Sequence, residues 1–173
     1  MPFSKIISMF STLKRKLNWE SDPEPEQALK IRLPIATFLV LIFCVPSPWS
    51  TTQNFVINLM SFPGLIFLNH LVMGIMIILA ILKYPQESPA RRVFGILLDI
   101  ISLSAVMFLA AEVTFAIFVM YLWVILGNGF RYGVKYLYLT YAVSILGFSV
   151  AIIWGSHWQQ NVSVGVSLLI ILL

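Results

Sequence analysis

The sequence predicts an all-α protein, a polytopic membrane helix bundle of about six spans, with five as the alternative count. Three observations lead there. Of the 173 residues 60% are hydrophobic and only 10% are charged, whereas a soluble domain carries about 25% charge. The few charges are clustered, and the long runs between them lack the polar face that a soluble helix needs. The connections between runs also alternate between basic and uncharged, which is the mark of a chain threaded back and forth through a bilayer.

Near the amino terminus, in "FSKIISMFSTLKRKLN", Phe3, Ile6, Ile7, Phe10, Leu13 and Leu17 recur at helical spacing, with Lys5, Arg15 and Lys16 on the remaining surface. A basic amphipathic helix of this kind lies among lipid headgroups; a partner-docking helix is the alternative. "WESDPEPEQ" is acidic and proline-containing, and reads as a solvated linker. Residues 1–28 are therefore taken as a cytoplasmic amphipathic helix plus linker, and residues 29–173 as the transmembrane bundle. About thirty largely polar residues precede the first apolar run, so no signal peptide is visible.

The first span is expected from about Leu29 to Val45. The second runs from about Phe55 to Leu82, longer than the ~20 residues a crossing needs, so it must tilt, kink near Pro63-Gly64 or begin outside the hydrocarbon. Next come 34 residues, Val93 to Leu126, with only Asp99 and Glu112 charged. One helix of that length would measure ~50 Å against a core of ~30 Å. Two spans joined by a hairpin near Ala110, Ala111 and Glu112 fit better. The fifth span is about Tyr132 to Trp154, "GSHWQQN" is a polar turn, and "VSVGVSLLIILL" opens a sixth. Because the sequence stops within that apolar run, it reads as a piece of something longer.

All eleven Lys and Arg lie at or before Arg32, in the 83–92 loop, or in the 127–135 segment. By the positive-inside rule these three face the cytoplasm, with the amino terminus. Trp49, Trp154 and Trp158 then form an aromatic belt on the outer side.

The segment "GNGFRYG", Gly127 to Gly133, reads as a cytoplasmic hairpin. Three glycines permit the φ > 0 that a tight reversal needs, and Asn128 tolerates the left-handed region. Phe130 and Tyr132 suit the interface, and Arg131 reaches a lipid phosphate or a carboxylate on a neighbouring span.

Candidate functional residues are few. Asp99, six residues into the third span, must face the bundle, a partner or water; a pair with Arg131 is expected, since spans three and four are neighbours. His70, near the middle of span two, reads first as an interhelical hydrogen-bonder and second as a ligand contact. The other histidine, His157, falls on the outer side, which leaves no paired set for haem. Glu112 reads as a cap on the fourth span, or as a guard at the outer entrance. Tyr138 and Tyr141, at i, i+3, either hold helices together or anchor a polar head inside a greasy groove. The single cysteine, Cys44, offers neither a disulfide nor a metal cluster. No Ser/His/Asp set, metal-ligand cluster or phosphate loop points to an enzyme, and no cofactor or nucleic acid is implied. No internal repeat points to a transporter. A small transporter or a structural membrane subunit are the competing classes.

The stretch "LWVILGNGFRYGVKYL" closely resembles the signature in the membrane sensor regions of some bacterial hybrid histidine kinases. The best-known are the Rpf-type receptors for diffusible signal factor, a cis-2-unsaturated fatty acid of quorum sensing. The pattern is matched from Trp123 to Tyr141, with looser similarity in span arrangement from Leu33 to Leu173. The resemblance implies a sensor module that detects a hydrophobic signal, works as a homodimer, and passes its state to kinase domains and a response regulator. In the family a histidine-bearing helix and an ATP-binding domain come after the membrane region; neither is in this sequence. The family is usually described with five spans and a short periplasmic amino-terminal sensor, from which the basic amino terminus here departs.

Overall fold

The computed structural model describes residues 22–44, 60–109 and 114–172. The expected amphipathic helix at 3–18, Trp49, and the hairpin with Glu112 lie outside those residues. Among the described residues every regular element is helical. They are α1 (Glu24–Gln27), a π-helical turn (Ala28–Arg32), α2 (Leu33–Cys44), α3 (Phe62–Lys83), α4 (Pro89–Leu109), α5 (Thr114–Tyr132), α6 (Val134–Trp154), α7 (Ser156–Gln160) and α8 (Val162–Leu172). Three of them, α3 from Gly64, α4 and α6, are long and apolar enough to cross a membrane.

The over-long second run resolves at its start. Helix α3 begins at Phe62, with Pro in its first turn, where its missing N–H is no loss. Ser61 caps it by accepting from the Gly64 backbone N–H at 3.4 Å. Of the 34-residue run, α4 is described to Leu109 and α5 from Thr114.

Helices α1 and α2 and the π turn between them keep right-handed helical dihedrals across both junctions, so residues 24–44 form one continuous rod. A π turn carries an extra residue and shifts the register of the helix after it, which is why such turns recur at functional sites. This one ends on Arg32, a buried arginine at the head of the apolar helix α2.

The core lies among α4, α5, α6 and the last two helices. Ile100, Val106, Tyr121, Phe148 and Trp158 are fully or almost fully enclosed there. Helices α4 and α6 approach closely because Gly147 faces Ser104: a Cβ at 147 would lie 2.2 Å from the Ser104 Oγ. That hydroxyl cannot easily swing away, since it donates to the Ile100 carbonyl at 2.8 Å and sits 2.7 Å from the Tyr121 hydroxyl. Small residues at such crossings let membrane helices gain close contact. Gly147→Ala is therefore expected to destabilise the bundle by about 1–3 kcal/mol through overpacking, despite the better helix propensity of alanine. Thermal unfolding in detergent micelles measures it, and an unchanged midpoint would show that the crossing can relax.

The aromatic belt needs one correction. Trp154 is exposed, but Trp158 is not at a surface at all: it is 0% exposed, packs edge-on against Phe148 at 5.3 Å, and donates from Nε1 to the Met107 carbonyl at 2.8 Å. The polar-looking "GSHWQQN" forms the short helix α7 that carries this indole inward.

Candidate functional site

Three connections meet at one end of the bundle: the 22–32 segment, the 83–92 loop and the junction of α5 with α6. The first was expected to be a solvated linker. Instead Asp22 and Glu24 are buried, because they meet the arginines of the loop. Arg91 binds Glu24 through two nitrogens, Nε at 2.6 Å and Nη2 at 3.0 Å, and donates to the carbonyls of Tyr84 and Gln86. Arg92 reaches Asp22 at 2.9 Å and Glu87 at 3.1 Å, with its guanidinium over the Tyr132 ring. Two-pronged guanidinium–carboxylate pairs are the strong, geometrically selective kind.

The same segment touches the glycine-rich signature. Gln27 receives a hydrogen bond from the Tyr132 hydroxyl and makes a long one, 3.5 Å, to the Asn128 amide oxygen. Asn128 is 1% exposed, and its amide nitrogen donates back to Val124 at 2.9 Å. The expected seven-residue hairpin is thus mostly helix. Helix α5 runs through Tyr132, and only Gly133, at φ +92°, makes the reversal. The other two glycines provide clearance. A Cβ at 129 would strike Leu137 at 2.7 Å, and one at 127 would lie 2.8 Å from the Arg131 guanidinium. Helical side chains lean toward the preceding turn, so Arg131 lies back over Gly127.

Within the bundle the expected Asp99–Arg131 pair is replaced by another. Arg32 holds both carboxylate oxygens of Asp99, at 3.1 and 2.7 Å. It reaches them through a slot between two helices, where a Cβ at Gly95 would come within 2.8 Å of the guanidinium and one at Gly74 within 3.7 Å of its stem. Sequential neighbourhood favoured Arg131, but the long arginine at the end of the π turn has the direct path. His70 completes the cluster: Nδ1 is 3.0 Å from the Ser102 hydroxyl and Nε2 is 3.6 Å from Asp99.

These groups line one cleft. Its cavity is about 70 Å³, within a wider, partly open space of about 640 Å³. Arg32, His70, Asp99, Asn128 and Arg131 form its polar wall; Leu39, Phe67, Leu103 and Met120 are among its apolar lining. Of the residues singled out from sequence, Asp99, His70, Asn128 and Arg131 therefore converge. Tyr132 sits beside them, tied to Gln27. Tyr138 and Tyr141 do not line this cleft: the first is 67% exposed and the second packs against the main core. Arg32 and Gln27 are the functional-site residues that the sequence reading missed. Arg32 did carry a signal, as a cation lying inside the expected first span. Among the described residues no group of three His, Cys, Asp or Glu is placed to hold a metal.

A helical bundle with spans of membrane length and a buried ion pair facing a half-open cleft belongs to the class of polytopic membrane proteins with an internal polar site. The comparisons narrow this. The chain is 34% identical over 149 residues to the sensory/regulatory protein RpfC of Xanthomonas campestris pv. campestris, in each of two strains; the match covers 86% of this chain and 20% of RpfC. The homology identifies the chain as an Rpf-type sensor region. The chain thus spans about a fifth of the length of the curated relatives it matches. No protein-family model matches it, and no solved structure matches it.

Proposed function

We propose that this chain is the membrane input module of a two-component hybrid histidine kinase, which detects a hydrophobic signal such as a cis-2-unsaturated fatty acid. The observation that carries the reading is the cleft. Homology points to a sensory protein, and the residues of the signature, Asn128 and Arg131, are part of the wall of an internal site. On this reading the chain crosses a bacterial inner membrane six times with its amino terminus in the cytoplasm. The clustering of three basic connections at one end of the bundle supports that orientation. The parent protein works as a homodimer and hands phosphate to a response regulator. A signal acts only by favouring one helix arrangement over another, and the arrangement available to be biased here is the Arg32–Asp99 contact between the amino-terminal rod and α4.

The test is autophosphorylation of the full native gene product in lipid nanodiscs, with a cis-2-unsaturated medium-chain fatty acid and with its saturated counterpart. A change specific to the unsaturated acid is expected. Equal phosphorylation with both and with neither would discard the ligand. A native gene that carries no kinase segment beyond this region would discard the kinase.

A further inference from the structure

Among the described residues that line the cleft, His70 is the one whose ordinary charge change falls in the physiological pH range. Both of its ring nitrogens face polar groups on α4. Nδ1 lies 3.0 Å from the Ser102 hydroxyl, and Nε2 lies 3.6 Å from Oδ1 of Asp99. That same Oδ1 accepts from Arg32 Nε at 3.1 Å, the longer of the two Arg32–Asp99 contacts; the shorter, at 2.7 Å, goes to Oδ2. One carboxylate oxygen thus stands between an arginine and an imidazole.

The three side chains are only 12% exposed at His70, 13% at Asp99 and 7% at Arg32, so charges there are poorly screened. The cleft they line is partly open, which gives a proton a way in. Few other charges bear on the ring. Helix α2, which packs on α3, carries no Asp, Glu, His, Lys or Arg. Asp99 faces the ring from α4, Arg32 from the π turn, and Arg131 lies across the cleft on α5. With the imidazole neutral, Arg32 and Asp99 cancel each other. With it protonated, two cations share one carboxylate.

We propose that His70 is a proton-binding switch on the amino-terminal rod. Its protonated Nε2 donates to Oδ1 of Asp99 and displaces Arg32 Nε, so that the rod is held to α4 through Oδ2 alone. Repulsion between imidazolium and guanidinium loosens that hold further. Ser102 is the positioning residue, since its bond to Nδ1 turns Nε2 toward Asp99. Protonation of a buried histidine beside a charged contact is a known way to tip an interface. The proton acts on the contact to which the sensor reading gives the signalling role, so acidity becomes a second input to it. The test reads backbone exchange and not phosphorylation, so the switch and the sensor reading fail separately.

The experiment is hydrogen–deuterium exchange, read by mass spectrometry, on the full native gene product in lipid nanodiscs between about pH 8 and about pH 5.5, the window in which histidine changes charge. After correction for the intrinsic pH dependence of exchange, peptides covering residues 24–44 are expected to lose about tenfold in protection at the acid end, the scale of one charge-assisted hydrogen bond. His70→Gln should abolish that step, and His157→Gln should keep it. Ser102→Ala, which retains the imidazole, should move the midpoint of the step, so the proposal is tested even if His70→Gln does not fold. An equal step in the parent and in folded His70→Gln would overturn the proposal. So would a flat profile in the parent, a rise in protection on acidification, or a midpoint that Ser102→Ala leaves unmoved.

Discussion

Asp99→Leu is expected to destabilise the bundle by about 3–5 kcal/mol, because it strands a buried guanidinium without its counter-charge. Arg32 is only 8% exposed and gives two nitrogens to this one carboxylate. Glycines on α3 and α4 fit closely around it, so it has little room to turn toward water. Asp99→Asn should cost less, since an amide oxygen still accepts one hydrogen bond. The double variant Arg32→Met/Asp99→Leu should recover much of the loss, as buried pairs replaced by apolar residues often do. Unfolding midpoints of these variants and the parent in the same detergent decide the matter. Additive losses in the double variant would mean that the two residues act separately. On the proposed sensor reading signalling separates from stability here: the double variant is expected to be folded and to lose its response to ligand.

Trp158→Ala is the second large effect, with an expected loss of about 3–5 kcal/mol. The indole fills the space between Phe148 and Gly165, where even a Cβ on residue 165 would lie 3.1 Å from the ring. Its Nε1 also satisfies the Met107 carbonyl. Trp158→Phe keeps most of the packing and loses only the hydrogen bond, which should cost about 1–3 kcal/mol. Near-ultraviolet circular dichroism during thermal unfolding separates the two. If the alanine and phenylalanine variants melt together, the hydrogen bond and not the packing dominates.

How much of this structure was legible in the sequence depended on the kind of signal each part carries. The apolar runs marked the helices. Hydrophobicity also misplaced Trp158, because position between two spans says nothing about which way a short helix turns its indole. "GNGFRYG" looked like one turn because glycine has two uses that composition does not separate. Gly133 supplies the positive φ, whereas Gly127 and Gly129 make room inside a helix for Arg131 and Leu137. Asp99 was marked by its cost in the oil, and so was the need for a cation. Which cation it meets is a question of reach across three helices, and only the fold answers it. The acidic residues before the first span were the hardest to read. A solvated linker and a buried ion-pair cluster have the same composition, and they differ only in whether arginines some seventy positions away arrive beside them.

That arrival has a consequence for how the protein is made. On the proposed orientation, Arg91 and Arg92 would act as orientation signals while the chain is threaded into the bilayer, when basic residues count and acidic ones count little. In the finished protein the same two arginines are neutralised by Asp22 and Glu24. On that orientation their charge would be used twice in succession, first to set the direction of insertion and then to fasten the incoming segment to the loop. The order matters. Neutralising the two acids would leave the threading unchanged and disturb only the later assembly, so biogenesis and folding can be separated by two substitutions at one end of the molecule.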